Sequence, residues 1–321
     1  MMRILVLHSD IAEDAPPEEQ DTLIAAKAVA AALHSRGHMV SQRPFTQATL
    51  GELLSHESPD IVFNLVEGVD GLGQLAPIAP RLLEEMGIAF TGAGAAAMDL
   101  TNDKPLTKQR LRDAGLATPG WSEPPDWRGL GEGTYIVKSA LEDASLGLDD
   151  GCVVSGAEAV KRRARECETR HGGRWFAEEF VEGREFNIAV LQGKSGPLIF
   201  PMAEMRFDSW PMNKPRIVGY DAKWDESSPA SLQTVRAFGV EQAEPLLATR
   251  LRAACEKVWV IFGLSGFARV DFRVSASGEP LILEINTNPC ISPDAGFAAA
   301  AAEAGVPYDL LIARIVEAAI P

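Results

Sequence analysis

The chain has 321 residues, of which 46% are hydrophobic and 23% are charged, and its formal net charge is -15. This length exceeds one typical domain, and the composition is that of a folded protein of enzyme size. The acidic excess disfavours nucleic acid and anionic membranes as partners, because both are polyanions that attract Lys and Arg. The four cysteines lack CxxC spacing, and neither a signal peptide nor a membrane span is recognisable, so a reducing cytoplasm is the simplest predicted location.

The first elements predict a βαβ unit. Residues 3–7 form an apolar strand, residues 22–33 an alanine-rich helix that ends at Gly37, and residues 60–65 a second apolar strand. The first strand is followed by a polar run, 8–10, and not by a glycine turn. The dinucleotide-binding fingerprint is therefore missing, which argues against a nicotinamide-dependent enzyme.

Further elements follow at short intervals. The pattern predicts, in chain order, a helix at 105–114, a Pro/Gly-rich connection at 119–133, a strand at 135–137 that ends in Lys138, a helix that follows and runs through Arg170, and strands at 175–180 and 185–191. The alanine run at 298–302 predicts the start of another helix.

Two apolar runs near the C-terminus predict a β-hairpin. They lie at 269–271 and 281–286, and Ser277-Gly278 between them suits a two-residue turn. That turn sets Asp271 opposite Glu284 and Arg269 opposite Asn286. Because side chains alternate along a strand, all four residues lie on one face.

The facing carboxylates of Asp271 and Glu284 repel each other unless something between them offsets the repulsion. A hard divalent cation takes oxygen ligands and would do so, and therefore the hairpin predicts a magnesium site. The alternative is an exposed hairpin that carries charge and binds nothing.

Two lysines and a small-residue loop suit phosphate binding. Lys104 and Lys138 each supply a mobile ammonium group, although either one alone is typical of a solvated surface charge. The segment 139–147, which we call the flap, contains Ser145 and Gly147, and its backbone N–H groups would close over phosphates. The flap matches no P-loop pattern.

An acidic strand also attracts notice. The run 178–185 turns at Gly183 and leaves Glu185 seven residues after Glu178. A solvated acidic hairpin is the alternative interpretation of this run.

The order of these motifs is more specific than any one of them. Lys104, Lys138, the run 178–185, Arg269-Val270-Asp271 and the run 284–289 together resemble the ATP-grasp superfamily, specifically its D-alanine-D-alanine ligase-like branch. The resemblance extends from about residue 60 to the C-terminus.

The resemblance implies an α/β fold of three domains, with α+β character in the ATP-grasp portion. An N-terminal βαβ domain would span 1–101 and a small central lid domain 102–184. A C-terminal domain with an antiparallel sheet and the metal site would span 185–321.

The resemblance also implies ligands. ATP would lie between the central and C-terminal domains, with Mg²⁺ as its metal and Mn²⁺ as the alternative ion. The implied nucleotide contacts are Lys104, Lys138, Ser145 and Gly147 for phosphates, the Glu178 side chain and the backbone of Glu179 and Val181 for adenine, and Glu185 for ribose. Asp271, Glu284 and Asn286 would hold the metal, Arg269 would stabilise the transferred phosphoryl group and the tetrahedral intermediate, and Lys223 would be a further phosphate-facing residue.

The implied reaction joins two small molecules, a carboxylate and an amine. The γ-phosphoryl group of ATP would first activate the carboxylate as an acyl phosphate, which the amine then attacks. The products would be an amide or peptide, ADP and phosphate. Members of the family are commonly dimers, so the resemblance leaves a homodimer open as the oligomeric state.

The chain departs from the D-alanine ligase pattern where substrate would bind. Glu67 stands in place of a histidine, Cys290 in place of a glycine, and Ala295 in place of a serine that receives the second substrate's carboxylate. With Ser292 and Asp294 nearby, these positions predict a substrate pair other than two D-alanines, and Glu67, Cys290, Ser292 and Asp294 are the substrate candidates. Cys290 could act through its backbone N–H, since no base that would make it a nucleophile is identifiable.

Two alternatives stay open. One is a true D-alanine-D-alanine ligase with an atypical substrate site. The other is a non-catalytic ATP-binding regulatory protein, which Arg269 disfavours, because a binding-only site has little use for an arginine directed at a transition state.

Overall fold

A three-stranded parallel sheet begins the fold in the computed structural model, which describes residues 1–12, 14–212 and 214–320. Its strand order is β2-β1-β3, with β1 at Arg3–His8, β2 at Met39–Pro44 and β3 at Ile61–Leu65. The helices of this part are α1 at Pro17–Ser35, α2 at Leu50–Glu57 and α3 at Ile78–Glu85. The predicted βαβ unit is confirmed, with β2 added at the sheet edge.

Two short helices lead into the second sheet. They are α4 at Ala95–Asn102 and α5 at Lys104–Asp113. The Asp103 carboxylate caps α5 by accepting a hydrogen bond of 3.1 Å from the Leu106 N–H, and Pro105 occupies the first turn. This cap starts the helix at Lys104 and so sets the direction of the lysine side chain.

The second sheet is antiparallel, with strand order β4-β7-β5-β6. Its elements are β4 at Trp121–Ser122, β5 at Thr134–Ser139, β6 at Val153–Ser155, α6 at Ala157–His171 and β7 at Trp175–Glu179. The prediction of a helix directly after Lys138 was wrong. A loop and β6 come first, because residues 153–155 pair with β5 and complete the sheet edge.

The third sheet has strand order β11-β10-β8-β12-β13, with β9 also paired to β8. Its elements in chain order are β8 at Gly183–Gly193, β9 at Gly196–Ile199, β10 at Ala203–Phe207, α7 at Tyr220–Trp224, α8 at Pro229–Gln233, β11 at Thr234–Ala237, α9 at Val240–Ala243, α10 at Pro245–Ile261, β12 at Phe267–Ser275, β13 at Pro280–Asn286, α11 at Gly296–Glu303 and α12 at Tyr308–Ala318.

The β12-β13 hairpin has the predicted register at the site and a different tip. Asp271 pairs with Glu284 and Arg269 with Asn286, as predicted. The two-residue turn was wrong, because the Ser275 N–H bonds to the Glu279 carbonyl and the register near the tip is shifted by one residue. A β-bulge at Leu283 inserts one residue into β13 and restores the pairing farther along.

The first and last parts of the chain share one hydrophobic core. It includes Ile4 and Phe63 from the parallel sheet, Phe267 from β12, and Phe297 and Ile312 from the last two helices. This packing places the loop after β13 beside the N-terminal sheet. The domain boundaries at 101/102 and 184/185 stay predictions.

Within the described part of the chain, helices that combine the length and apolar character needed to cross a membrane are absent.

Candidate active site

A cavity of about 720 Å³ lies where residues from all three sheets meet. Its lining includes every predicted site residue except Gly147 and Ser292: Glu67, Lys104, Lys138, Ser145, Glu178, Glu179, Val181, Glu185, Lys223, Arg269, Asp271, Glu284, Asn286, Cys290 and Asp294. Residues from distant parts of the sequence therefore converge on one space, although their roles toward ligands stay predictions.

The hairpin face places two carboxylates around one amide. The Asn286 side chain lies 3.3 Å from Asp271 Oδ2 and 3.3 Å from Glu284 Oε1. Arg269 donates two hydrogen bonds of 2.8 Å each to the two oxygens of Asp271. Buried charges of opposite sign thus lie side by side on this face.

The two carboxylates differ in acidity. Burial works to raise the pKa of Glu284, but Lys104, Lys138 and Arg269 outweigh it and lower the pKa to about 2. Burial raises the pKa of Asp271, and the neighbouring Glu284 charge adds to that rise while Arg269 opposes it. Glu284 is therefore the firmly ionised member of the pair.

The donor set on this face fits a hard divalent cation. Asp271, Glu284 and Asn286 carry carboxylate and amide oxygens within reach of one point, and both carboxylates face the cavity. Rotation of the amide would turn the Asn286 oxygen toward the carboxylates, because amide O and N are assigned from the hydrogen-bond network.

Lys104 is held by the flap. Its ammonium group donates to the Glu142 carbonyl at 2.9 Å and lies 2.7 Å from Asp143 Oδ1. Burial works to lower the pKa of Lys104, but Asp143 and Glu284 outweigh it and raise the pKa. Lys104 is therefore a fixed positive charge at the cavity wall.

The flap also makes contacts on both of its sides. The Glu142 carboxylate accepts a hydrogen bond of 2.8 Å from the Gly73 N–H, near the first sheet. On the other side, Ser145 Oγ donates to the Val218 carbonyl at 3.1 Å, and Trp224 Nε1 donates to the Ala144 carbonyl at 2.9 Å. The flap and the segment before α8 therefore meet over the cavity.

Lys223 lies in this second covering segment, on α7. Its ammonium group is 4.8 Å from the ring centroid of Trp224, and both residues line the cavity. The structure therefore brings Lys223 to the cavity, and its predicted contact with a phosphate stays a prediction.

Gly147 packs against the ring of Trp175 in the second sheet. Its φ is +72°, and a Cβ would come within 2.5 Å of the Trp175 ring. Its carbonyl accepts a hydrogen bond from Arg163 at 3.1 Å. Glycine is thus required at this position for flap packing, outside the cavity lining.

Glu178 is a buried anion between two lysines. Its side chain is 2% exposed, Lys138 Nζ lies 3.0 Å from Oε1, and Lys108 forms an ion pair with Oε2. Burial works to raise the pKa of Glu178, but Lys108 and Lys138 outweigh it and lower the pKa. Lys108 was missed by sequence reasoning, although its spacing of four residues from Lys104 places both on one helix face.

Glu185 is paired with a second missed residue. Arg273 Nη2 lies 3.2 Å from Glu185 Oε2, and both side chains are largely buried. Burial raises the pKa of Glu185, with Arg273 opposing the rise. Arg273 follows Arg269 and Asp271 at every second position of β12, so strand alternation was a usable signal for it.

An acidic wall, formed by Asp21, Glu67, Cys290 and Ser292, bounds the end of the cavity nearest the first sheet. Asp21 accepts hydrogen bonds from Cys290 Sγ at 2.8 Å and from Ser292 Oγ at 2.9 Å. Asp21 lines the cavity, and the sequence places it in an acidic segment that predicts either an exposed loop and helix start or a cover over the substrate site. Ser292 lies behind the lining and holds Asp21 in place.

The acidic wall has unusual protonation properties. Burial first, and the Asp21 charge second, raise the pKa of Glu67 to about 7, even though its side chain is accessible from the cavity. The same two causes raise the pKa of Cys290 to about 12. Such a thiol stays protonated at neutral pH, which disfavours a nucleophilic role for Cys290.

A single arginine faces the cavity near the loop after β13. Arg236 lines the cavity and donates to the Asp294 carbonyl at 3.5 Å. Within the ranges the structure describes, it has no carboxylate partner at ion-pair distance. Arg236 was also missed, since nothing local on β11 marks it.

Comparison with known proteins identifies the family. The family model "D-ala D-ala ligase C-terminus" matches residues 134–317, which is more than half of the chain. This chain belongs to the D-alanine-D-alanine ligase family. The predicted membership in this branch of the ATP-grasp superfamily is confirmed.

Two relatives match this chain along nearly its whole length. The Sinorhizobium fredii protein y4sG, whose name gives no function, is 30% identical over 95% of this chain and 90% of its own length. A D-alanine-D-alanine ligase of Anaeromyxobacter sp. is 31% identical over 94% of this chain and 93% of its own length.

A solved structure supports the fold. The D-alanine-D-alanine ligase from Bacillus anthracis, crystallised with ATP, superposes with a TM-score of 0.75 at 20% identity and covers 99% of this chain and 97% of that one. The predicted fold class is confirmed. This chain is therefore an ATP-dependent ligase that forms carbon-nitrogen bonds, as predicted.

The geometry of the hairpin face predicts the effect of Glu284→Ala. The substitution removes an ionised carboxylate, the candidate metal ligand, and no packing group, so ATP turnover should be abolished while the fold is retained. ADP release measures the turnover, and circular dichroism with thermal melting checks the fold. Glu279→Ala, an exposed acid on the same hairpin, is the matched control. Turnover by Glu284→Ala that still responds to magnesium as in the wild type would contradict the metal assignment.

The position of Glu185 predicts an effect on nucleotide affinity. Glu185→Gln keeps the size of the side chain and removes the charge. The KM for ATP should rise about tenfold, with a smaller change in kcat, because the predicted ribose contact would be equal in ground and transition states. Steady-state kinetics give both constants. Glu182→Gln, exposed on the same turn, should change neither. A fall in kcat with an unchanged KM would place Glu185 outside nucleotide binding.

Proposed function

We propose that this ligase joins a small carboxylate to an amine through an acyl phosphate, and that its substrates are not two D-alanines. The observation that carries the proposal is the acidic wall. Asp21 and Glu67 place negative charge on the end of the cavity that the nucleotide-binding candidates leave free. Two of its members, Glu67 and Cys290, stand at positions where the ligase pattern has other residues.

The cationic side chains would offset charge during carboxylate activation. ATP supplies the phosphoryl group, and Mg²⁺, which Asp271, Glu284 and Asn286 would hold, offsets its charge. Arg269 is fixed by the bidentate contact with Asp271, so its remaining donors are preorganised for a developing oxyanion.

The flap and the α7 segment would exclude water from the reaction. Acyl phosphates hydrolyse readily, and a covered site protects them until the amine attacks. Contacts of Ser145 with the Val218 carbonyl and of Trp224 with the Ala144 carbonyl support this role.

The acidic wall would select a substrate that carries an ammonium group. Asp21 already accepts hydrogen bonds from two neutral donors, while Glu67 faces the open cavity. A cation bound there would relieve the repulsion between the two carboxylates.

The other end of the substrate space lacks the serine hydroxyl of D-alanine ligases, since Ala295 occupies that position. Arg236 supplies a positive charge beside it, because its guanidinium lies against Gly296, the first residue of α11. A substrate with a differently placed or larger anionic group suits this arrangement.

A true D-alanine-D-alanine ligase is the second candidate function. It is favoured by the names of relatives such as those from Aquifex aeolicus and Anaeromyxobacter sp., which match over nearly the whole chain. An assay of D-alanyl-D-alanine formation separates the two candidate functions.

We expect the purified protein to form negligible D-alanyl-D-alanine with ATP and magnesium while it binds ATP measurably. Two D-alanines would leave a carboxylate at Ala295 without its hydroxyl partner and would put Glu67 where the ligase pattern has a histidine, and we expect a cost on the order of a thousandfold in kcat/KM. ADP release and chromatographic detection of the dipeptide give the rates. A pooled panel of amino acids, dipeptides and small carboxylic acids should contain pairs that release ADP.

A purified D-alanine-D-alanine ligase of Anaeromyxobacter sp. serves as the positive control under the same conditions. Efficient dipeptide formation by this chain, at a rate comparable with the control, would restore the second candidate. ATP binding without ADP release from any combination would favour a binding protein instead.

The raised pKa of Glu67 predicts a pH dependence. Below about pH 7 the carboxyl is protonated, and above it the anion is available to an ammonium group, so kcat/KM for the amine substrate should rise through about pH 7. Asp21 raises this pKa, as does Asp143 from the flap, whereas Lys223 lowers it. In Glu67→Gln the rise of kcat/KM through about pH 7 should be absent, and the KM for the amine substrate should be higher than in the wild type. A pH profile identical in the two proteins would exclude Glu67 from amine binding.

A further inference from the structure

Lys108 is a fully buried lysine that the proposed reaction does not use. It is 0% exposed, although it lies on α5 one turn after Lys104. Its ammonium group pairs with Glu178 of β7, lies 3.0 Å from Thr118 Oγ1 and lies 3.4 Å from the Leu283 carbonyl of β13. Three separate parts of the chain therefore meet at one nitrogen.

The contact with Leu283 has a structural reason. Leu283 is the extra residue of the β-bulge, so it has no pairing partner on β12. The segment before β4 covers this edge, since Thr118 Oγ1 donates to the Ile282 carbonyl at 2.7 Å and the Ile282 N–H donates to the Ala117 carbonyl at 2.9 Å. Lys108 adds a third contact, which fixes its nitrogen relative to β13.

The contact with Glu178 reaches the cavity. Glu178 and Leu283 both line it, whereas Lys108 does not. Lys138, the other partner of Glu178, is itself a cavity residue that a bound anion would attract. Lys108 would thus be the partner that stays with Glu178 if a phosphate drew Lys138 away.

We propose that Lys108 is a positioning residue for the nucleotide base, acting by holding Glu178 ionised and in one orientation beside Leu283. An ionised carboxylate accepts hydrogen bonds only, so it favours a base edge that presents an amino group and disfavours one that presents a carbonyl oxygen. Lys108 therefore contributes to the choice of adenine over guanine. This inference rests on ATP binding by the family and is independent of the carboxylate and amine substrates.

Burial supports the pairing. Desolvation lowers the pKa of Lys108, and Glu178 opposes that fall, while the lysines lower the pKa of Glu178 against its own burial. Removal of Lys108 would leave a buried carboxylate with Lys138 alone, which favours the protonated carboxyl. A protonated carboxyl can donate, and the preference for an amino group is then reduced.

A double-mutant cycle tests the proposal with ADP and GDP as probes, titrated calorimetrically in the presence of magnesium. Lys108→Met keeps the length of the side chain, and Glu178→Gln keeps its shape. We expect Lys108→Met to raise the Kd for ADP about tenfold and to narrow the ratio between the Kd values for GDP and ADP. In the Glu178→Gln background the same substitution should have little further effect, because Lys108 acts through the carboxylate.

Arg110→Met, exposed on the same helix, is the matched control and should leave both Kd values unchanged. Lys108→Met/Glu178→Gln removes both buried charges, so the cycle remains informative if Lys108→Met alone does not fold. That double variant should then bind ADP and GDP as Glu178→Gln does. A folded Lys108→Met protein with unchanged affinities, or an equal loss with and without the Glu178 carboxylate, would overturn the proposal and leave Lys108 a packing residue.

Discussion

Two carboxylates in the cavity, those of Glu178 and Glu185, are buried together with cations that come from other strands or helices. Glu178 on β7 is paired with Lys138 on β5 and Lys108 on α5, and Glu185 on β8 is paired with Arg273 on β12. A buried charge that loses its partner costs several kcal/mol, so each pair requires its two elements to stay in place. Lys108, which pairs with Glu178 on β7, also donates to the Leu283 carbonyl on β13, and this contact connects the second sheet to the third.

The same constraint explains the irregular hairpin. The two carboxylates of Asp271 and Glu284 face the cavity only if β13 carries one extra residue relative to β12 beyond the shifted tip. The bulge that provides it at Leu283 leaves an edge that Thr118 and Lys108 cover. The departure from regular pairing thus lies beside the candidate metal ligands. β-Bulges are common next to active sites.

Charge is distributed unevenly along the cavity. Lys104, Lys138 and Arg269 surround the hairpin carboxylates, whereas Asp21 and Glu67 form the opposite end. A polyanion and an amine would be drawn to different ends of such a space, which orients the two substrates without a direct contact between them. The flap spans this gradient, because Glu142 contacts the Gly73 N–H beside the first sheet while Asp143 pairs with Lys104.

Sequence alone determined the local features and, through the order of its motifs, the family. Strand alternation places Arg269, Asp271, Glu284 and Asn286 on one face, and this prediction needs only the register of one hairpin. The register was right even though the predicted turn was wrong, since the shifted tip and the bulge compensate each other.

Tertiary structure alone decided which other charges join this face. Lys108, Asp21 and Arg236 carry no local signal strong enough to separate them from solvated charges on a helix or an edge strand. Their roles arise from packing between segments far apart in sequence, such as Asp21 on α1 against Cys290 and Ser292 in the loop after β13. Desolvation depends on that packing. The raised pKa values of the Glu67 carboxyl and the Cys290 thiol therefore follow from the folded structure and not from residue type.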